Sequence, residues 1–94
     1  MKLSETGLDV IKDYCGVTDT DSDNILNGLR SAAVSFILNQ TGLSEAEAEK
    51  YDDLSAALLV LVYDMYLNRV YSVDKSAVNP IVSCILSEHA RNLL

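Results

Sequence analysis

The longest uncharged apolar run in the chain limits the possible folds more than any other feature. It lies within residues 53–70, where the eight residues Ala56–Tyr63 carry neither a charge nor a small polar side chain. A surface helix has one apolar stripe and one polar face, whereas a helix that is apolar on nearly every side is buried. Strands rarely exceed about ten residues, and Asp64 interrupts the run well short of the roughly 20 apolar residues that span a membrane. The sequence therefore predicts a buried central helix over about residues 53–70.

Apolar residues recur at helical spacing through the rest of the chain. No segment alternates with the period of two that a half-buried strand requires. Gly16 and Gly42 stand where left-handed helix C-caps belong. The predicted order is a first helix capped by Thr6, a second from residue 21 or 22 to about residue 41, a short third opened by a Ser44 capping box, the central helix, and a last helix opened by Asn79-Pro80.

These elements predict an all-α fold, a small bundle of four to five helices around the central apolar helix. Because no linker-like segment interrupts the 94 residues, we expect one domain over residues 1–94. The spacing also assigns each helix a buried face. The predicted buried residues are Leu8, Ile11, Tyr14 and Cys15 on the first helix, Ile25, Leu29, Ala32, Ala33, Phe36, Ile37 and Gln40 on the second, and Val82, Ile85, Leu86, His89 and Leu93 on the last.

Acidic residues outnumber basic ones by fourteen to seven, which gives a formal net charge of −7. Residues 1–24 hold six acidic and two basic side chains, and residues 43–53 hold five and one. A protein that binds nucleic-acid phosphates needs clustered Lys and Arg. The charge therefore predicts that DNA is not bound specifically, and the interrupted apolar run predicts no membrane segment.

The acidic turn Asp19–Asp23 is similar to two known kinds of site. It opens like a calcium-binding loop, but Asn24 takes the position of the glycine at the sharp turn and Arg30 that of the bidentate glutamate. Asp21-Ser22 before a helix also resembles the phosphopantetheine serine of acyl carrier proteins, which continue with Leu where Asp23 stands here. A solvated acidic helix start is favoured over both, so we predict neither a metal nor a cofactor.

His89, the one histidine of the chain, forms no predicted catalytic pair with a cysteine. Cys84 and His89 are five residues apart, about 140° from each other around a helix, and a nucleophile and its base must lie within hydrogen-bonding distance. We therefore expect no enzyme activity, with Cys15 and Cys84 reduced and packed, and His89 either partly buried or at an interface. The opening Met-Lys-Leu-Ser lacks the apolar run of a signal peptide, so a cytoplasmic protein is expected.

Several residues of the central helix leave alternatives open. A partner for Asp64 would be Arg30 or Arg69, or else the carboxylate reaches solvent. Tyr63 and Tyr66 of the helix, and Tyr71 just after it, would lie either in the core or at a partner surface as aromatic anchors.

The order of these parts resembles the head–tail connector (adaptor) family of tailed bacteriophages and prophages, also labelled DNA-packaging proteins. In that family a short helix and an acidic turn precede a long amphipathic helix that ends in Thr-Gly, and a later apolar helix closes on an aromatic-x-Asn-Arg signature. Here the long helix ends at Thr41-Gly42, and the apolar helix closes as Tyr66-Leu67-Asn68-Arg69. The resemblance covers essentially the whole chain, although many relatives have more prolines and a basic cluster near the C-terminus.

The resemblance implies a non-enzymatic structural protein of the virion. Such a protein forms a ring, expected to be a dodecamer, between the portal protein and the next connector or tail protein. The ring would extend the DNA channel after packaging, and DNA would pass through it without specific binding. Assembly would take place in the host cytoplasm and the final position would be the head–tail junction; a monomer before docking is also compatible with the resemblance.

The same resemblance implies roles for particular residues. Tyr66, Asn68 and Arg69 form a structural signature, in which the last two would hold the turn after the central helix by bonding backbone carbonyls. Contacts between subunits in a ring are expected to be heterologous. The candidate subunit or portal interface consists of Ser31 and Ser35 on the second helix, Tyr71 and Asn79 in the loop after the central helix, and His89, Leu93 and Leu94 near the C-terminus.

An alternative function is a small acidic helical regulator that binds a protein partner through one helix face, as an antitoxin or anti-activator does. It would form a dimer or a one-to-one complex and no ring. Light scattering with and without the cognate portal protein distinguishes the two functions.

Overall fold

The second helix and the central helix pack against each other, and the remaining elements complete a bundle around them. The computed structural model describes residues 1–68 and 80–91, except for the side chains of residues 90 and 91. These residues form five α-helices and a 3-10 turn and contain no strand, which confirms the all-α prediction. In chain order the elements are the 3-10 turn Leu3–Glu5, α1 (Leu8–Cys15), α2 (Asp23–Thr41), α3 (Glu45–Ala48), α4 (Asp53–Asn68) and α5 (Pro80–Arg91).

Local sequence signals set several of the helix ends. Gly16 after α1 and Gly42 after α2 both adopt the left-handed conformation, each with a φ of 73°, and their backbone N–H groups donate to the preceding turn. Ser44 and Glu47 form the predicted capping box: the Glu47 N–H donates to Ser44 Oγ at 3.2 Å, and the Ser44 N–H to Glu47 Oε1 at 3.1 Å. Hydrogen bonds from the Ser44 backbone N–H and side chain lower the pKa of the exposed Glu47 carboxyl because they stabilise its ionised form.

The start of α1 differs from the prediction. Gly7 precedes the first helical residue, and no side chain caps the helix. Thr6 is instead buried, and its hydroxyl donates to the carbonyl of Leu3. The predicted Thr6 cap is therefore wrong, because the preceding 3-10 turn takes the hydroxyl that would have capped α1.

The core lies where α2, α4 and α5 meet. One side of α4 is buried, as is Ile11 of α1. Burial of these apolar side chains is the main source of stability for a bundle of this size. The principal core residues are Leu54, Leu58, Leu61 and Met65 of α4, Leu26, Leu29, Ala33 and Ile37 of α2, and Val82 and Leu86 of α5.

Two residues of the predicted buried helix faces lie at the surface. Ile25 is 41% exposed, whereas its neighbour Leu26 is fully buried. Both residues are apolar and adjacent, so helical spacing does not choose between them; the packing of α2 on α4 does. Tyr14 of α1 is 47% exposed, because Ile11 and not Tyr14 points into the core.

The prediction that the central helix is enclosed on nearly every side is also wrong. Ala56 is exposed and Leu67 is 57% exposed, while Leu59, Val60 and Tyr63 are only half-buried. One apolar side of α4 therefore faces outward. The described part of α4 ends at Asn68, so the last two positions of the predicted span lie outside the described residues. Among the described helices, none has both the length and the hydropathy needed to cross a membrane.

Candidate interaction surfaces

The predicted signature at the end of α4 is described at two of its three positions. Tyr66 is half-buried and packs against the core. Asn68 is exposed, and its Nδ2 donates to the backbone carbonyl of Asp64 at 2.8 Å, one turn earlier in the same helix. Arg69 lies outside the described residues, so the role of the signature in the following turn stays a prediction.

Three of the predicted interface positions fall within the described residues. Ser31 and Ser35 are exposed on α2, on the side opposite its buried stripe. His89 is 7% exposed and faces into the bundle. The other four, Tyr71, Asn79, Leu93 and Leu94, lie outside the described residues.

His89 connects the end of α5 to the start of α4. Its Nε2 lies 2.9 Å from both carboxylate oxygens of Asp53, and its ring centroid lies 4.5 Å from that of Tyr51. This arrangement gives His89 partners within the same chain and removes it from the outer surface. Sequence reasoning missed the contact because the two residues are 36 positions apart and share no motif.

Arg30 holds the N-terminal segment against α2. Its Nε donates to the carbonyl of Thr6 at 2.6 Å and its Nη2 to that of Leu3 at 3.3 Å. The guanidinium therefore bonds backbone carbonyls and does not pair with Asp64, for which Arg30 had been one of two candidate partners. From the other side, the Ser4 N–H and Oγ donate to the Glu49 carboxylate at 2.8 and 2.7 Å. These contacts build one rigid end of the bundle.

The outer face of α2 carries no charge along its length. We define it as Asn24, Gly28, Ser31, Ser35 and Asn39, which are all exposed and repeat at intervals of three or four residues. Near its C-terminal end lies a shallow open depression lined in part by Ser35, Asn39 and Gly42. A Cβ added at Gly28 would meet no atom within 4 Å, so the glycine is not needed for packing inside this chain.

The outer face of α4 is apolar and also carries no charge. We define it as Ala56, Leu59, Val60, Tyr63 and Leu67, which share one side of the helix and are exposed or half-buried. Tyr14 of α1 borders it, with its ring edge-on to Tyr63 at a centroid distance of 5.6 Å. The spacing of these residues was visible in the sequence, but their exposure became evident only from the packing of the bundle.

The described residues contain no group of three or more His, Cys, Asp and Glu side chains that could hold a metal ion. Cys15 is partly buried, and that burial raises the pKa of its thiol, which disfavours the nucleophilic thiolate. Cys84 is exposed on α5, so the prediction that it is packed is wrong, while His89 of the same helix points inward to Asp53. The candidate functional features of the described residues are therefore the outer faces of α2 and α4.

The structure is thus a small helical bundle with uncharged outer faces on two of its helices. A comparison with family models gives a match to the phage gp6-like head-tail connector protein over residues 5–85. The chain belongs to the phage gp6-like head-tail connector family, as its sequence resemblance had indicated. Searches of curated proteins and of solved structures each found no match.

Membership in this family gives the chain a structural role in a phage particle. It acts at the head–tail junction of the virion, in contact with other virion proteins such as those of the portal or tail. The family is structural and not known as enzymatic.

Proposed function

We propose that copies of this chain form a ring between the portal protein and the next connector or tail protein, and that the ring extends the DNA channel after packaging. The observation that carries the proposal is the family match, which extends over residues 5–85 of the 94.

The charge of the chain supports a channel through which DNA slides. DNA carries about one negative charge per 1.7 Å of helix axis, so a surface with clustered Lys and Arg would retain it. This chain has a net charge of −7, and exposed carboxylates dominate α1 and the turn before α2. They include Asp9, Asp13, Asp19 and Asp21. Such a surface repels the phosphates and keeps the DNA from adhering.

The rigidity of the bundle supports a role as a spacer. Arg30 and Glu49 fix the N-terminal segment from two sides, and the His89–Asp53 contact joins the last described helix to the central one. A subunit held together in this way keeps the same shape in each position of a ring, which closed symmetry requires.

Electron microscopy of the protein mixed with its purified portal tests the proposal. We expect an additional ring of density beneath the portal, coaxial with its channel, that is absent from the portal alone. Light scattering of the same mixture should give the mass of a multi-subunit assembly. A dimer or a one-to-one complex, with no ring on the portal, would contradict the proposal and favour the regulator.

A DNA-binding measurement on the assembled ring provides a second test. We expect no retention of double-stranded DNA at physiological salt, because the ring lacks a basic surface in its described residues. Tight, salt-sensitive binding would contradict the proposed passage of DNA without specific contact.

A further inference from the structure

Two uncharged helix faces lie on different sides of the bundle. The outer face of α4 presents large apolar side chains, and the outer face of α2 presents small ones. We propose that the outer face of α4 docks onto the outer face of α2 in a second copy of this chain. This inference rests on the ring proposed above and assigns the surfaces through which its neighbouring subunits touch.

Charge selects these faces for contact between copies. Each copy carries a net charge of −7, so most approaches of two copies bring carboxylates together, which is repulsive. Exposed carboxylates lie on α1, on α3, in the turn before α2, on the outer side of α5 and at the start of α4, where Asp53 contacts His89. The residues that define the outer faces of α2 and α4 include no charged side chain, so contact through them avoids most of this repulsion.

The sizes of the side chains on the two faces are complementary. Leu59, Tyr63 and Leu67 form a row of large side chains one turn apart. Gly28, Ser31 and Ser35 form a row of small ones, along which a helix from another molecule can approach closely. Gly28 lowers the stability of an isolated helix relative to Ala. Because a Cβ at that position meets nothing within 4 Å in this chain, packing inside the monomer gives no reason for the glycine.

The two faces cannot meet within one molecule. The buried stripes of α2 and α4 point toward the shared core, so the opposite sides of these helices point away from each other. Contact between them therefore joins one copy to the next in a head-to-tail manner, which repeats until a ring closes. The edge-on contact of Tyr14 with Tyr63 adds an aromatic residue at the border of this contact.

Cysteine cross-linking between copies tests the pairing of the faces. In a Cys84→Ser background, Leu67→Cys protein is mixed with Ser31→Cys protein and oxidised. The mixture is oxidised once at high concentration without portal and once bound to the purified portal. The half-buried Cys15, whose thiol has a raised pKa, is retained. We expect the mixture to give at least about tenfold more disulfide-linked dimer than either variant by itself. Ser87→Cys, exposed on α5, replaces Ser31→Cys in the matched control and should give only the background yield.

Charge substitution provides a second test that does not depend on oxidation. Leu67→Asp should reduce ring formation on the portal by about tenfold or more, because it places a carboxylate in an apolar contact. The double variant Leu67→Asp/Ser31→Lys should restore it, since each Asp then meets a Lys of the next copy. Ser87→Asp should leave ring formation unchanged. Melting temperatures of all variants verify that they fold.

The outcomes separate this inference from the proposed ring. A ring on the portal with no Leu67–Ser31 cross-link and no charge rescue would overturn the pairing of faces and leave the ring intact. Dimers of Leu67→Cys alone, at the yield of the mixture, would show a symmetric contact and also overturn it. Cross-linking of the mixture without a ring on the portal would support the pairing and contradict the function. If neither the cross-link nor the ring forms, the pairing of faces and the proposed function are both overturned.

Discussion

At the scale of single residues, Arg30 shows how a charged side chain acquires a structural role. Its guanidinium bonds the carbonyl oxygens of Thr6 and Leu3, and the Leu3 oxygen also accepts from the Thr6 N–H and hydroxyl. A planar group with several donors suits this task better than a point charge.

We expect Arg30→Ala to lower the free energy of unfolding by about 1.5–3 kcal/mol, the usual contribution of hydrogen bonds to a charged group. Arg30→Lys should recover only part of the loss, because an ammonium cannot reproduce the forked geometry. Thermal and denaturant unfolding measure both. Asn27→Ala, at an exposed position of the same helix, is the control and should change stability little. An unchanged melting temperature for Arg30→Ala would show that the two bonds do not stabilise the fold.

The two cysteines should differ in reactivity. Cys84 is exposed, whereas burial raises the pKa of the Cys15 thiol and lowers its thiolate fraction. We expect a thiol reagent at neutral pH to modify Cys84 rapidly and Cys15 slowly, as followed by mass spectrometry of the intact protein. Equal rates would contradict the described burial of Cys15.

The raised pKa of Cys15 also gives a direction for stability against pH. The folded chain holds this proton more tightly than the unfolded chain does. The associated stability is therefore complete below the unfolded pKa of the thiol and is lost as pH rises through the folded pKa. Comparison with Cys15→Ala in unfolding experiments across alkaline pH isolates the effect.

At the scale of elements, two glycines allow the effect of helix propensity on stability to be distinguished from the effect of backbone conformation. Gly28 lies inside α2, and Gly16 ends α1 with a φ of 73°. An added Cβ meets nothing within 4 Å at either position, so neither substitution causes a steric clash. The two positions differ in backbone conformation alone.

We expect Gly28→Ala to raise the free energy of unfolding by about 0.4–1 kcal/mol, because alanine favours the helix and restricts the unfolded chain. Gly16→Ala should lower it by about 1–2 kcal/mol, because an L-residue is strained in the left-handed region. Denaturant unfolding of the two variants provides a matched pair. Equal shifts of the same sign would contradict the helix ends described above.

At the scale of the whole molecule, α5 is part of the core. Val82 and Leu86 are buried against the other helices, and His89 bonds Asp53 at the start of α4. A deletion from residue 79 onward therefore removes core packing together with any surface that the C-terminal segment offers to a partner.

We expect a chain truncated before Pro80 to lose cooperative thermal unfolding, as measured by circular dichroism, because two buried apolar side chains and a partly buried hydrogen bond are lost. His89→Ala, which removes only the bond to Asp53 and the ring contact, should retain a cooperative transition at a lower temperature. A truncated chain that melts as sharply as the full one would show that α5 is not integral to the bundle.

Much of the architecture was predictable from the sequence because it depends on local interactions. The apolar run of α4, the Ser44–Glu47 capping box and the glycines after α1 and α2 act within a few residues, and each produced the expected helix or helix end. The family resemblance also follows from the order of these local features, and the match over residues 5–85 confirms it.

Tertiary structure decided which residues face outward and which distant groups meet. The choice of Leu26 over Ile25, the bonds of Arg30 to Thr6 and Leu3, and the open side of α4 all depend on how whole helices dock. An apolar residue satisfies helical spacing on either side of a stripe, and a contact between residues 36 positions apart leaves no local pattern. The sequence by itself therefore determined the helices and the family, whereas packing determined the surfaces, because burial is a property of the assembled core and not of any one segment.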